Sequence, residues 1–261
     1  MEVAKVGEIF GKHIGKPVMD VLRKQAKDFP LFISGLNNLQ ALAGEPYVLV
    51  SNHVRPDVPL FKQSGASPDV FLLERAVAEE TGRQLKIVAR SDSGHLREGD
   101  YQRRFQQEFE HPFMRGLIGG MDLIPVKRVP GRINLGFVKQ VRKAISEGNP
   151  LLIFPEGRHS DDFDENTNLK SGFEYVASKF SLRILPAYIQ GCNSWRVKEN
   201  VHLGFGEPIA PWDYDAEEIP EITKRKILAL KEQQRNEVEL GRALIRDHIH
   251  EMEAFTADGT L

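Results

Sequence analysis

The chain has a single cysteine, Cys192. It cannot close an internal disulfide, and with no apolar leader behind Met1 the expectation is a reducing, cytoplasmic compartment with Cys192 as a small buried residue. Long apolar runs are missing too. No stretch approaches the roughly 18–20 consecutive apolar residues of a membrane-spanning helix, so the chain reads as soluble or peripheral to a membrane. Nor is one sign of charge in excess: 35 Lys and Arg stand against 37 Asp and Glu, a formal net charge of −2, which gives no support to a nucleic-acid partner. Internal repeats and low-complexity segments are absent, which argues against a solenoid. There is no Gly-rich phosphate loop and no G-x-S-x-G elbow, which argues against a kinase, a dehydrogenase and a serine hydrolase.

What is present is ordinary globular composition, 261 residues with 41% hydrophobic and 28% charged, and one domain is expected. Short apolar, β-branched runs at 47–52, 85–90, 122–127, 151–154, 183–189 and 201–206 read as strands. Helix-period segments lie between several of them. "DVFLLERAVAEETG" carries Phe71, Leu72, Arg75 and Val77 at mixed spacing, and "LGFVKQVRKAISEG" puts Leu135, Val138, Val141, Arg142 and Ile145 near one face before Gly148. The alternation predicts an α/β architecture, and runs apolar at nearly every position suit a largely parallel central sheet flanked by helices.

The ends differ from the middle. Residues 17–29 open with Pro17, suited to a first helical turn, and place Val18, Val21, Leu22 and Phe29 along one side with Arg23, Lys24 and Lys27 elsewhere. Such an amphipathic helix either lies on a membrane surface or packs on its own domain. Residues 221–254 form a charged helical tail in which Ile227, Leu230, Val238, Leu244, Ile245 and Met252 offer an apolar stripe, open to packing or dimerisation.

Three places concentrate chemistry. In "VLVSNHVRPDVPLF" a strand ends at His53, where open α/β sheets hold their ligands. A neutral imidazole takes a proton from a hydroxyl near pH 7, and a carboxylate beside it would fix its tautomer; Asp57 and Asp69 are both candidates. In "LLIFPEGRHSDD" an apolar strand runs straight into Pro155, Glu156, Gly157 and Arg158, a turn suited to an anionic ligand. In "LIPVKRVPGR" Lys127, Arg128 and Arg132 gather past another strand end, where they would attract a phosphate. Taken singly, each has a bland reading: a loop histidine, a structural ion pair, a solvated basic loop. Two metal signals fail. "DFDEN" lacks the turn glycine and terminal glutamate of a calcium loop, and His248 and His250 stand two apart on a helix and face different ways.

In order, "NHVRPD", "IPVKR", "FPEGRHS" and "LPAY" resemble the four sequence blocks of the glycerolipid acyltransferases, the family of 1-acylglycerol-3-phosphate and glycerol-3-phosphate acyltransferases. The resemblance runs from about residue 45 to 212. It implies one acyltransferase domain over 1–261, with an N-terminal helical segment (1–44), a catalytic core (45–212) and a helical tail (213–261). The implied reaction moves an acyl group from acyl-CoA or acyl carrier protein to a hydroxyl of a glycerophosphate or lysophospholipid, with no other cofactor and no acyl-enzyme. His53 would be the general base, an aspartate its partner, and Lys127, Arg128, Phe154, Pro155, Glu156, Gly157, Arg158 and Pro186 the substrate-binding set. The implied setting is the inner face of a membrane.

Two features depart from the family pattern. The family separates its histidine and aspartate by four residues, whereas three lie between His53 and Asp57. Proximity favours Asp57 as the partner, while the length from Asp69 to the next strand is closer to the family's single helix; the expectation leans to Asp57. The third block reads "EGRHS" in place of "EGTRS", which puts His159 on an arginine position and leaves the acceptor's identity open. The competing functions are transfer to an acceptor that is not a glycerophosphate, a lipid-binding scaffold of the same fold without catalysis, and a thioesterase.

Overall fold

The computed structural model describes residues 3–56, 67–90, 123–126, 135–157, 159–160, 162–195 and 200–257; for 3–8, 10–12, 14–15, 90 and 242–257 it describes the backbone alone. Seven strands form one sheet: β1 (Leu31–Ser34), β2 (Tyr47–Ser51), β3 (Lys86–Arg90), β4 (Ile124–Val126), β5 (Leu151–Ile153), β6 (Arg183–Gln190) and β7 (Val201–Phe205), in the order β1-β7-β6-β2-β5-β3-β4. Strands β6, β2, β5, β3 and β4 run parallel. Strand β7 is antiparallel to β6, and β1 runs with β7.

All five residues of β2 are buried because both faces of the sheet are covered. Successive side chains point to opposite faces. Tyr47 and Leu49 therefore enter one core with Leu152, Leu185 and Phe71, while Val48 and Val50 enter the other with Leu151, Ile184 and Phe173. The first core is closed by α1 (Val3–Ala26), α2 (Leu36–Gln40) and α3 (Pro68–Thr81), and the second by α4 (Leu135–Ser146), α5 (Gly172–Phe180) and the start of α6 (Ile219–Ala257). Helix α3 is buried almost all round from Pro68 to Val77, which explains why its apolar residues follow no single stripe.

Pro17, expected at a first turn, instead lies inside α1. Proline suits a helix start because no intrahelical donor is lost there, but inside a helix it costs one hydrogen bond and leaves the sequence signal misplaced. The buried stripe also shifts. Met19, Leu22 and Ala26 pack inward with Phe29, whereas Val21 is 57% exposed. Arg23 then reaches the buried carboxylate of Glu74 on α3, Nη2 to Oε1 at 2.7 Å and Nε to Oε2 at 3.0 Å. Arg75 Nη1 donates to the carbonyls of Ala26 and Phe29 at 3.2 and 3.1 Å, supplying partners to a helix end that lacks its own. The apolar side of residues 18–29 is thus packed on the domain.

Strand β1 was not expected from sequence. On α4 the inward residues are Val141 and Ala144, while Leu135 is exposed. The tail's Ile227 and Leu230 pack on the sheet, and the side chains of Leu244, Ile245 and Met252 lie outside the described residues.

Candidate active site

Neighbouring strands β2 and β5 end side by side, and their chains continue alongside each other. Ser160 N–H donates to the carbonyl of His53 at 2.9 Å, and Arg55 N–H to that of Ser160 at 3.0 Å. Across the other edge, buried Asn52 bonds the backbone of β6 twice: Nδ2 donates to Ile189 O and Ile189 N–H donates to Oδ1, both at 2.9 Å. The residue before His53 is therefore tied to β6 and His53 itself to the segment after β5. The imidazole stands at the carboxyl ends of parallel strands on a fixed backbone.

Asp69 arrives from the first turn of α3. Its Oδ2 lies 2.8 Å from His53 Nδ1 and also accepts the N–H of Val54 at 2.8 Å, while Oδ1 accepts the N–H of Val70 at 2.8 Å. The carboxyl is wholly buried. Burial by itself would push its pKa up, but the charge and hydrogen bond of His53, with further bonds from Ser67 and the Val54 backbone, outweigh it and hold the pKa below the usual carboxylate value. The helix N-terminus favours the same ionised form. An ionised carboxylate only accepts, so the shared proton belongs to Nδ1 and the lone pair of His53 to Nε2.

Two rings pack on the imidazole. Phe154 is stacked at 3.9 Å between centroids with the planes 13° apart, and His159 lies at 3.8 Å with a tilt of 37°. Glu156 is buried, and its Oε1 accepts the backbone N–H of His53 at 3.0 Å. Gly157, at φ +65°, lets the chain turn directly after it.

The structure thus joins His53, Asp69, Phe154 and Glu156. Asp57, towards which proximity leaned, lies outside the described residues, as do Lys127, Arg128 and Arg158. The carboxylate on the imidazole is that of Asp69. A helix start, sixteen positions on, carries this side chain back to the strand end. Pro155 is buried and its carbonyl accepts the N–H of Lys170 at 2.9 Å. Pro186 sits buried inside β6, opposite Val50, where no described contact joins it to His53. Sequence reasoning gave Asn52 no part and placed His159 only on an arginine position of the third block, not against His53; a polar amide directly before the strand-end histidine was the available signal for Asn52. Cys192 is buried as expected, and burial, with the charge of Asp69 nearby, pushes its thiol pKa up. Among the described residues no cluster of three or more His, Cys, Asp or Glu could hold a metal ion.

Residues 103–190 match the family model described as Acyltransferase. The match spans the second to fourth blocks of the glycerolipid acyltransferase resemblance, and the fold that carries it is an α/β one with a largely parallel sheet. The match begins after His53 and Asp69. Among solved structures, the 1-acyl-sn-glycerophosphate (LPA) acyltransferase PlsC from Thermotoga maritima is similar at 14% identity and a TM-score of 0.46, over 83% of this chain and 80% of that chain. No curated protein matches the chain by sequence. No described helix is long and apolar enough to cross a membrane.

Proposed function

We propose that the protein is an O-acyltransferase that moves a fatty acyl group from acyl-CoA or acyl carrier protein to a hydroxyl of a glycerophosphate or lysophospholipid. The observation that carries this reading is the 2.8 Å pairing of His53 Nδ1 with buried Asp69, which leaves Nε2 as the base. The acceptor hydroxyl gives its proton to Nε2 as its oxygen attacks the thioester carbonyl. The carbon–sulfur bond then breaks, and the leaving thiolate takes the proton from His53. General-base assistance of this kind contributes about 10²–10⁴-fold. Asp69 orients the ring and stabilises the imidazolium.

Lys127, Arg128 and Arg158 hold the acceptor phosphate in this reading, and Glu156 acts through the backbone of His53. A lysophospholipid acceptor and a long-chain acyl donor are both amphipathic, which in this reading puts the protein at a membrane surface on the cytoplasmic side.

The test is release of free thiol from acyl-CoA with a panel of glycerol phosphate, lysophospholipids and unphosphorylated alcohols. Acceptor-dependent release that His53→Ala abolishes in a folded protein supports the reading. Release without acceptor would make the protein a thioesterase, and release with unphosphorylated alcohols alone would move the acceptor outside the glycerophosphates. No release with any acceptor, using either acyl-CoA or acyl carrier protein, would leave a binding scaffold.

A further inference from the structure

We propose that His159 is a positioning residue for His53, one half of an aromatic clamp whose other half is Phe154. Its kinetic consequence rests on the function proposed above; its structural consequence does not.

The hydrogen bond from Nδ1 to Asp69 fixes one point of the imidazole but not its plane. The plane is set by the two rings. With centroids 3.9 and 3.8 Å from that of His53, Phe154 and His159 cannot share one face of a five-membered ring, so they flank it. Both flanking residues are delivered by the chain after β5, whose Ser160 pairs with Val54 in a parallel bridge. Clamp and base therefore belong to one hydrogen-bonded unit. The covered faces and the Asp69 bond leave the Nε2 edge for the reacting hydroxyl, which must approach in the ring plane. The side chain of His53 is 11% exposed, in keeping with a single open edge.

Histidine also stands where the resemblance expects arginine. Here that position supplies a flat ring against the base. A clamp works through orientation, so its loss falls on the chemical step and not on acceptor binding.

The experiment compares wild type, His159→Phe and His159→Ala. In His159→Ala, kcat is expected to fall ~10- to 100-fold, the size of effect that a small misplacement of a reacting group produces, with the acceptor KM changed by less than about twofold. His159→Phe keeps a flat ring and is expected to recover most of that loss. In parallel, NMR of ¹⁵N-histidine-labelled protein reads the His53 tautomer: Nδ1–H in wild type and His159→Phe, and a mixture in His159→Ala, where the unclamped ring swings out of line with the Asp69 carboxylate and loses the bond that selects Nδ1–H. Should the alanine variant not fold, His159→Gln, which keeps bulk without a ring, carries the same expectations. Unchanged kcat and tautomer in the ringless variant overturns the proposal, as does a loss confined to acceptor KM that phenylalanine fails to recover. A wild type that transfers no acyl group removes the function proposed above, and the tautomer measurement then decides the clamp by itself.

Discussion

The backbone N–H of His53 donates to Oε1 of Glu156 over 3.0 Å, joining two strand ends 103 positions apart in the chain. In sequence, Glu156 and its neighbours look like a turn built for an anionic ligand. In the folded chain its buried carboxylate is committed, through one oxygen, to holding the residue that carries the base. This relationship separates positioning from substrate binding, and it can be tested by substitution. Glu156→Ala leaves the His53 N–H without its partner, at a cost of about 1–3 kcal/mol, and lowers kcat. Glu156→Gln retains a carbonyl acceptor and is expected to keep most of kcat. Urea denaturation and thiol-release kinetics read the two effects, and a rise in acceptor KM with kcat intact in the glutamine variant would make Glu156 a substrate ligand instead.

The dyad itself separates the two aspartates. Asp69→Asn puts an amide that can donate against the Nδ1–H and the Val54 N–H, and is expected to lower acyl transfer by about 10²–10⁴-fold. Asp57→Asn is expected to change turnover by less than about threefold, because Nδ1 of His53 already has its carboxylate in Asp69. Equal losses in both variants would contradict the pairing as the working dyad.

Acid sensitivity follows from the same carboxylate. Its folded pKa is lowered from a reference of 3.8, so its contribution to stability is fully present above that value and is lost as pH falls through the lower folded one. In urea denaturation over a pH series, wild type is expected to exceed Asp69→Asn in stability above about pH 5, with the gap closing below about pH 4. A gap that widens on acidification would mean that the folded state favours the protonated acid.

Docking of α1 depends on Arg23 and Glu74. Arg23→Ala leaves a buried carboxylate without its guanidinium, and the half-buried position of Arg23 limits the cost to about 1–3 kcal/mol. Glu74→Gln with Arg23→Met, replacing both charges, is expected to cost less than the single change. A double-mutant cycle by chemical denaturation checks this, and additive losses would show that the pair contributes no coupling.

For Arg128→Ala the expected result is a higher acceptor KM with kcat largely kept, measured with a glycerophosphate acceptor. An unchanged KM would take Arg128 out of the phosphate site.

The sequence by itself determined the α/β class, six of the seven strands and the histidine at a strand end, because a strand buried on both faces must be apolar at every position and so announces itself locally. Strand β1 escaped: four residues long at the sheet edge, "LFIS" carries an exposed Phe32 and too little pattern to stand out. The tertiary structure alone put Asp69 on His53, set His159 and Phe154 against its ring and turned Glu156 inward. Each of these contacts depends on which strands are neighbours in the sheet and on where a helix begins in space. Apolar periodicity records which residues leave water; it holds no information about which distant chain ends then meet.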